Sequence, residues 1–149
     1  MRIRAIGSVL LVGLLAVLMV GCKKAPLNRS VEQYWQLVEF TTLADGNTVQ
    51  CDRLFFGITR EVTMVSEKQG TNGYGAYVAL TEYREDESLL VLKDFKVYGD
   101  KSKVKEATSE QLKPFGIVNP KETVFHIVHS SHKRLVLESD YARLELKKF

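Results

Sequence analysis

The sequence predicts an all-β domain: a small antiparallel up-and-down β-barrel of about seven or eight strands with one short helix. Three observations lead there. Short apolar or alternating stretches run through residues 31–149, and none of them sustains the period of a long helix. Turn residues separate them at hairpin spacing. A run of consecutive hairpins leaves two open edges, and closing the sheet on itself removes both.

Trp35 to Phe40 is the first strand, and Asp45-Gly46-Asn47 supplies the turn after it with residues that tolerate positive φ. Arg53 to Ser66 then places Leu54, Phe56, Ile58, Val62 and Met64 on one face, as a half-buried strand would. Arg60 interrupts that face and marks a bulge or the barrel rim. Gly70-Thr71-Asn72-Gly73 turns the chain into Tyr74 to Tyr83, where Ala76, Val78 and Leu80 oppose Tyr77, Ala79 and Thr81. An acidic turn, Glu85-Asp86-Glu87, precedes a strand over Ser88 to Tyr98 with apolar residues on both faces.

Thr108 and Gln111 have the spacing of a capping box opening a helix, which Pro114 and Gly116 limit to about two turns. Leu112 and Phe115 share one side of it, so the element plugs or flanks the sheet. Thr123 to His129, Arg134 to Glu138 and Tyr141 to Phe149 complete the strands.

The barrel is preceded by a different kind of segment. Arg2 and Arg4 are followed by a charge-free run from Ala5 to Gly21, the basic and apolar regions of a secretory signal. It ends in Met19-Val20-Gly21-Cys22, which resembles the lipobox of bacterial lipoproteins. That resemblance implies cleavage before Cys22, a thioether-linked diacylglycerol on its sulfur and an N-acyl chain such as palmitate. An uncleaved transmembrane anchor is the alternative, since the 17 uncharged residues lie at the lower edge of a bilayer span. Gly21 before Cys22 and two lysines after it favour processing. The chain then divides into a signal peptide (1–21), a lipidated tether (22–30) and the barrel (31–149). Export and anchoring to the cell envelope, at the outer membrane as for many such lipoproteins, follow from the same resemblance.

Removing the signal changes what the charge means. The whole chain carries 21 basic and 18 acidic residues, but Arg2, Arg4, Lys23, Lys24 and Arg29 all precede Ser30. From Ser30 onward 16 basic residues face 18 acidic ones, so the domain lacks the electropositive body of a nucleic-acid binder. Acylation of Cys22 would leave Cys51 without a partner, excluding an intramolecular disulfide. Lacking a neighbouring His or Arg cluster, Cys51 reads as a shielded small hydrophobe rather than a reactive thiol.

Trp35-Gln36-Leu37-Val38, Leu112-Lys113-Pro114-Phe115-Gly116-Ile117, and the ending from Leu135 through Tyr141-Ala142-Arg143-Leu144 to Phe149 together resemble the lipocalin-like domains of bacterial lipoproteins. The resemblance spans Tyr34 to Phe149. It departs from the G-x-W opening of lipocalins proper, because Gln33 stands where the glycine would. It implies a Trp packed at one barrel end against a basic side chain of the final strand, with Trp35 and Arg143 as the pair, a structural role worth about 0.5–2 kcal/mol.

Chemistry is sparse. His126, His129 and His132 have metal-like spacing, but on a strand 126 and 129 point to opposite faces while His132 falls in a turn, so no metal site is expected. Nucleophile elbow, phosphate loop and zinc-protease motifs are all missing from the sequence, which argues against an enzyme. No cofactor is expected beyond the lipid on Cys22. Two functions remain: a barrel holding a small apolar ligand, or a filled barrel docking an envelope protein as an interaction or inhibitor module.

Overall fold

A computed structural model of the chain describes residues 27–99 and 102–149. Cys22, the signal segment and most of the tether lie outside the described residues. Eight strands follow in order: β1 (Tyr34–Thr42), β2 (Thr48–Ile58), β3 (Val62–Glu67), β4 (Ala76–Arg84), β5 (Leu89–Val97), β6 (Glu122–Ser130), β7 (Arg134–Glu138) and β8 (Ala142–Lys148). Each pairs antiparallel with the next, and β8 returns to β1 from Trp35↔Lys148 to Thr42↔Ala142, closing the barrel.

The run from Arg53 to Ser66 is two strands, not one. Thr59 makes the turn: its backbone N–H and hydroxyl both donate to the Val62 carbonyl, and its Oγ1 accepts from the Val62 N–H at 3.1 Å. Arg60 therefore sits at the rim, in the hairpin. The turn also exchanges faces. Leu54, Phe56 and Ile58 point inward from β2, whereas on β3 Thr63 and Val65 are buried and Val62 is 41% exposed. On β4 it is Tyr77 and Ala79 that face the core, leaving Leu80 53% exposed.

Both ends of the barrel are closed by the chain itself. At the end where β1 starts, Val31 is fully buried and its carbonyl accepts from the Trp35 indole. Beside it the Tyr83 hydroxyl donates to Glu32 at 3.2 Å. Burial, then the nearby Glu32 and Glu87 carboxylates, hold that phenol well above its ordinary range. At the opposite end helix α1 (Ser109–Leu112) runs into a 3-10 turn (Lys113–Phe115). Thr108 and Gln111 form the reciprocal capping box that their spacing predicts. Gly116 leaves the element at φ +75, and Leu112, Phe115 and Ile117 are driven fully into the barrel mouth. The rings of Tyr74 and Tyr77 meet Phe115 edge-on at 6.5 and 6.1 Å.

Between these two plugs the lumen is filled. Trp35, Leu37, Phe56, Leu90, Leu92, Phe125, Leu135 and Leu137 have no surface accessible to water. A water-sized void beside them would give them some, so side chains occupy that level of the barrel as in a close-packed core. Thr63 and Thr81 share a 2.8 Å hydroxyl contact across β3 and β4, and the Tyr77 hydroxyl donates to the Tyr74 carbonyl.

Candidate docking surface

Among the described residues the lumen side chains leave no room at the level of Trp35 and Phe125, which turns attention to the outer wall, and that wall is not uniform. Around β5, β6, β7 and β8 ion pairs cover it. Arg84 reaches Glu122 at 2.7 Å and Glu82 at 3.1 Å, while Arg134 reaches Glu145 at 3.0 Å and Arg143 reaches Glu138 at 3.6 Å. The Arg84 hydrogen bond holds the Glu82 carboxyl below its ordinary range.

Where β3 meets the first half of β4, before Glu82, the outer face is apolar instead. Val62 pairs across the strands with Leu80, and Met64 with Val78. Next to them β4 and β5 part at a β-bulge: Val78 and Leu80 pair with Lys96 and Lys93, so Asp94 and Phe95 both stand opposite Ala79. Asp94 adopts φ +54, and the amides of Asp94 and Phe95 turn away to the carbonyls of Lys121 and Pro120. Phe95 goes into the core, and the gap it leaves becomes a groove of about 470 Å³ lined by Val78, Ala79, Leu80, Asp94 and Lys96. Lys96 at its edge is held by Glu106 at 3.1 Å. The groove offers apolar contact with one charge of each sign at its border, an arrangement suited to docking rather than to bond-making chemistry.

The residues singled out from sequence fall elsewhere. Trp35 is at a barrel end, as the resemblance implies, but Arg143 is not beside it. Arg143 pairs in register with Thr41 near the other end and points into the outer ion-pair layer; the basic residue of β8 in register with Trp35 is Lys148. His126 and His129 do not point to opposite faces. A register shift between Ile127 and His129 brings them opposite Glu138 and Val136, two residues apart on β7, so both are exposed on the outer wall. His132 lies in the next turn with its Nε2 2.9 Å from Lys148 Nζ. Cys51 is half-buried near the strongly irregular stretch of β2, where Cys51, Asp52 and Arg53 all stand opposite Val38. Burial, with Glu39 adding to it, pushes its thiol up to about 11. The groove itself escaped the sequence reading, although the alternation of Ala76, Val78 and Leu80 was its visible trace.

Comparison with known proteins agrees with this architecture. A crystal structure of a lipocalin-like protein from Bacteroides uniformis superposes with a TM-score of 0.58 at 14% identity, covering 80% of this chain and 99% of that one. A second, from Bacteroides eggerthii, gives 0.58 at 14% identity over 78% and 98%. These likenesses are of fold. No curated protein matches the sequence. The family model of the lipocalin-like domain matches residues 17–149, and the chain belongs to that family.

Proposed function

We propose that this protein is a lipid-anchored, non-enzymatic docking module of the bacterial cell envelope, held by diacylglycerol on Cys22 and presenting its barrel wall to another envelope protein. The filled lumen, closed by Val31 at one end and by Leu112, Phe115 and Ile117 at the other, is the observation that carries the docking half of this reading. A carrier of the same fold needs room for its cargo, and pockets for small ligands are usually largely pre-formed. The lipocalin-like fold suits a binding role without catalysis. The lipobox and signal pattern of residues 1–22 support the anchor, and the outer membrane is the destination such lipoproteins commonly share.

Two measurements test the two halves separately. Fatty-acid labelling in a bacterial host should tag the wild-type chain and not Cys22→Ser; an unlabelled wild type removes the anchor. Native mass spectrometry of the unlipidated chain, purified from its native host, should show the bare protein mass. A retained small molecule whose re-addition raises the melting temperature would replace docking with ligand carriage, since a ligand bound only to the folded state stabilises it by RT ln(1 + [L]/Kd).

A further inference from the structure

The turn at Asn28–Ser30, the β6–β7 turn and the last residues of β8 meet at one corner of the Trp35 end. Ser30 Oγ lies 3.0 Å from Ser130 Oγ, and the Lys148 amide donates to the Lys133 carbonyl at 3.0 Å. Exposed Arg29, Lys133, Lys147 and Lys148 therefore share this corner. None of the four forms an ion pair among the described residues, whereas Arg84, Lys93, Arg134 and Arg143 on the wall are all paired at 2.7–3.8 Å. Two apolar side chains flank the cations. Leu27 is 45% exposed, and Phe149, 71% exposed, meets Phe55 edge-on at 4.9 Å. Diametrically across the barrel, where β4 joins β5, the same end carries Glu85, Asp86 and Glu87.

We infer that this basic corner rests on the anionic surface of the membrane holding the Cys22 anchor, with Leu27 and Phe149 entering the headgroup layer. The inference rests on the anchoring reading above. Chain length supplies the first argument: five residues take the chain from Cys22 to Leu27, so at about 3.4 Å per residue the corner stays within roughly 17 Å of the lipid. That is the longest reach, about two Debye lengths at physiological ionic strength, and any closer approach brings the cations within the single Debye length over which an anionic surface attracts them. Charge complementarity supplies the second. Cations seat the β8–β1 side, while Glu85-Asp86-Glu87 is repelled and tilts the opposite side upward. Because β4 and β5 lie opposite that seam, the groove beside Leu80 is turned away from the bilayer and toward a partner.

The test uses the chain from residue 22 with Cys22→Ser, whose barrel closes on itself, and measures its sedimentation with vesicles. Mixed phosphatidylglycerol and phosphatidylcholine vesicles should bind it at low salt, phosphatidylcholine alone should not, and molar salt should release it. Each cation near such a surface strengthens attachment by roughly fivefold, so Lys147→Glu/Lys148→Glu should weaken binding by at least about tenfold. Lys103→Glu/Lys105→Glu, exposed at the plugged end and identical in charge change, should stay within roughly twofold of wild type. Unchanged Trp35 fluorescence and melting temperature show that both variants fold. Equal binding to the two vesicle types, or equal loss in both double variants, overturns the seated corner. Missing fatty acid on Cys22 would instead remove the anchor and leave the vesicle result standing.

Discussion

The indole Nε1 of Trp35 donates to the carbonyl of Val31 at 2.8 Å, and neither residue has any exposed surface. This bond fastens the segment before β1 across the barrel end. Trp35→Phe preserves an apolar ring but leaves the Val31 carbonyl buried without its donor. It should cost about 1–3 kcal/mol for the orphaned acceptor alone. Urea unfolding followed by far-ultraviolet circular dichroism measures it, since Trp35 is the only tryptophan. A loss below about 0.5 kcal/mol, the size of an ordinary surface change, would mean that the segment is not fastened there.

Gly116 and Gly46 separate two costs that a glycine can avoid. Both adopt positive φ, +75 and +71, but a Cβ on Gly116 would approach Leu144 and Phe40 at 3.1 Å, while one on Gly46 meets nothing within 4 Å. Gly46→Ala should therefore show only the left-handed backbone penalty, about 1–2 kcal/mol. Gly116→Ala adds overpacking against Leu144 and Phe40, and its total should reach about 2–5 kcal/mol. Equal midpoints in parallel denaturant titrations would show that these side chains yield at no cost.

The Cys51 thiol gives a pH signature. Its folded-state pKa is raised from 9.0 to about 11 by burial, with Glu39 adding to the effect. The unfolded chain then loses this proton first as pH rises, so the stabilising preference is fully present below about 9 and is lost as pH climbs through 11. Cys51→Ala should flatten that part of the stability curve. At pH 8 a thiol reagent should react slowly with the native domain and rapidly once denaturant is added. Fast native labelling would make Cys51 a reactive site.

The order of the elements, and every break between strands but one, were legible from sequence because turn chemistry punctuates most of the chain. Arg134–Glu138 and the Thr108 cap stand where the pattern put them. The Thr59 hairpin was not legible: it closes through a threonine hydroxyl, with no Gly, Pro or Asn to mark it, so an apolar run continued across it. From that omission followed the inverted faces of β3. Bulges were equally hidden. One at Val38 shifts β1 against β8, and one at Ile127–His129 turns two histidines to the same side. Since a one-residue slip exchanges faces, register errors of this kind decide which side chains reach the surface. The groove beside Leu80 is itself made by such a bulge, at Asp94, which explains why it could not be read from alternation alone.

That groove makes the last prediction. Leu80 is 53% exposed and Val62 41%, although both belong to apolar patterns that would serve a core equally well. If they only decorate the surface, Leu80→Asp and Val62→Asp are neutral in every assay. Their exposure predicts stability within about 0.5 kcal/mol of wild type, against about 2–5 kcal/mol for Leu90→Ala in the lumen. Docking predicts more. A photocrosslinking residue at position 80, in the full-length protein expressed in living cells, should trap one discrete partner, and Val62→Asp on the neighbouring strand should abolish the adduct without moving the melting temperature. The same crosslinker at His129, on the ion-paired side of the barrel, should trap nothing comparable. A wall that crosslinks equally at 80 and 129, or an adduct indifferent to a carboxylate at 62, would take the partner away from this groove.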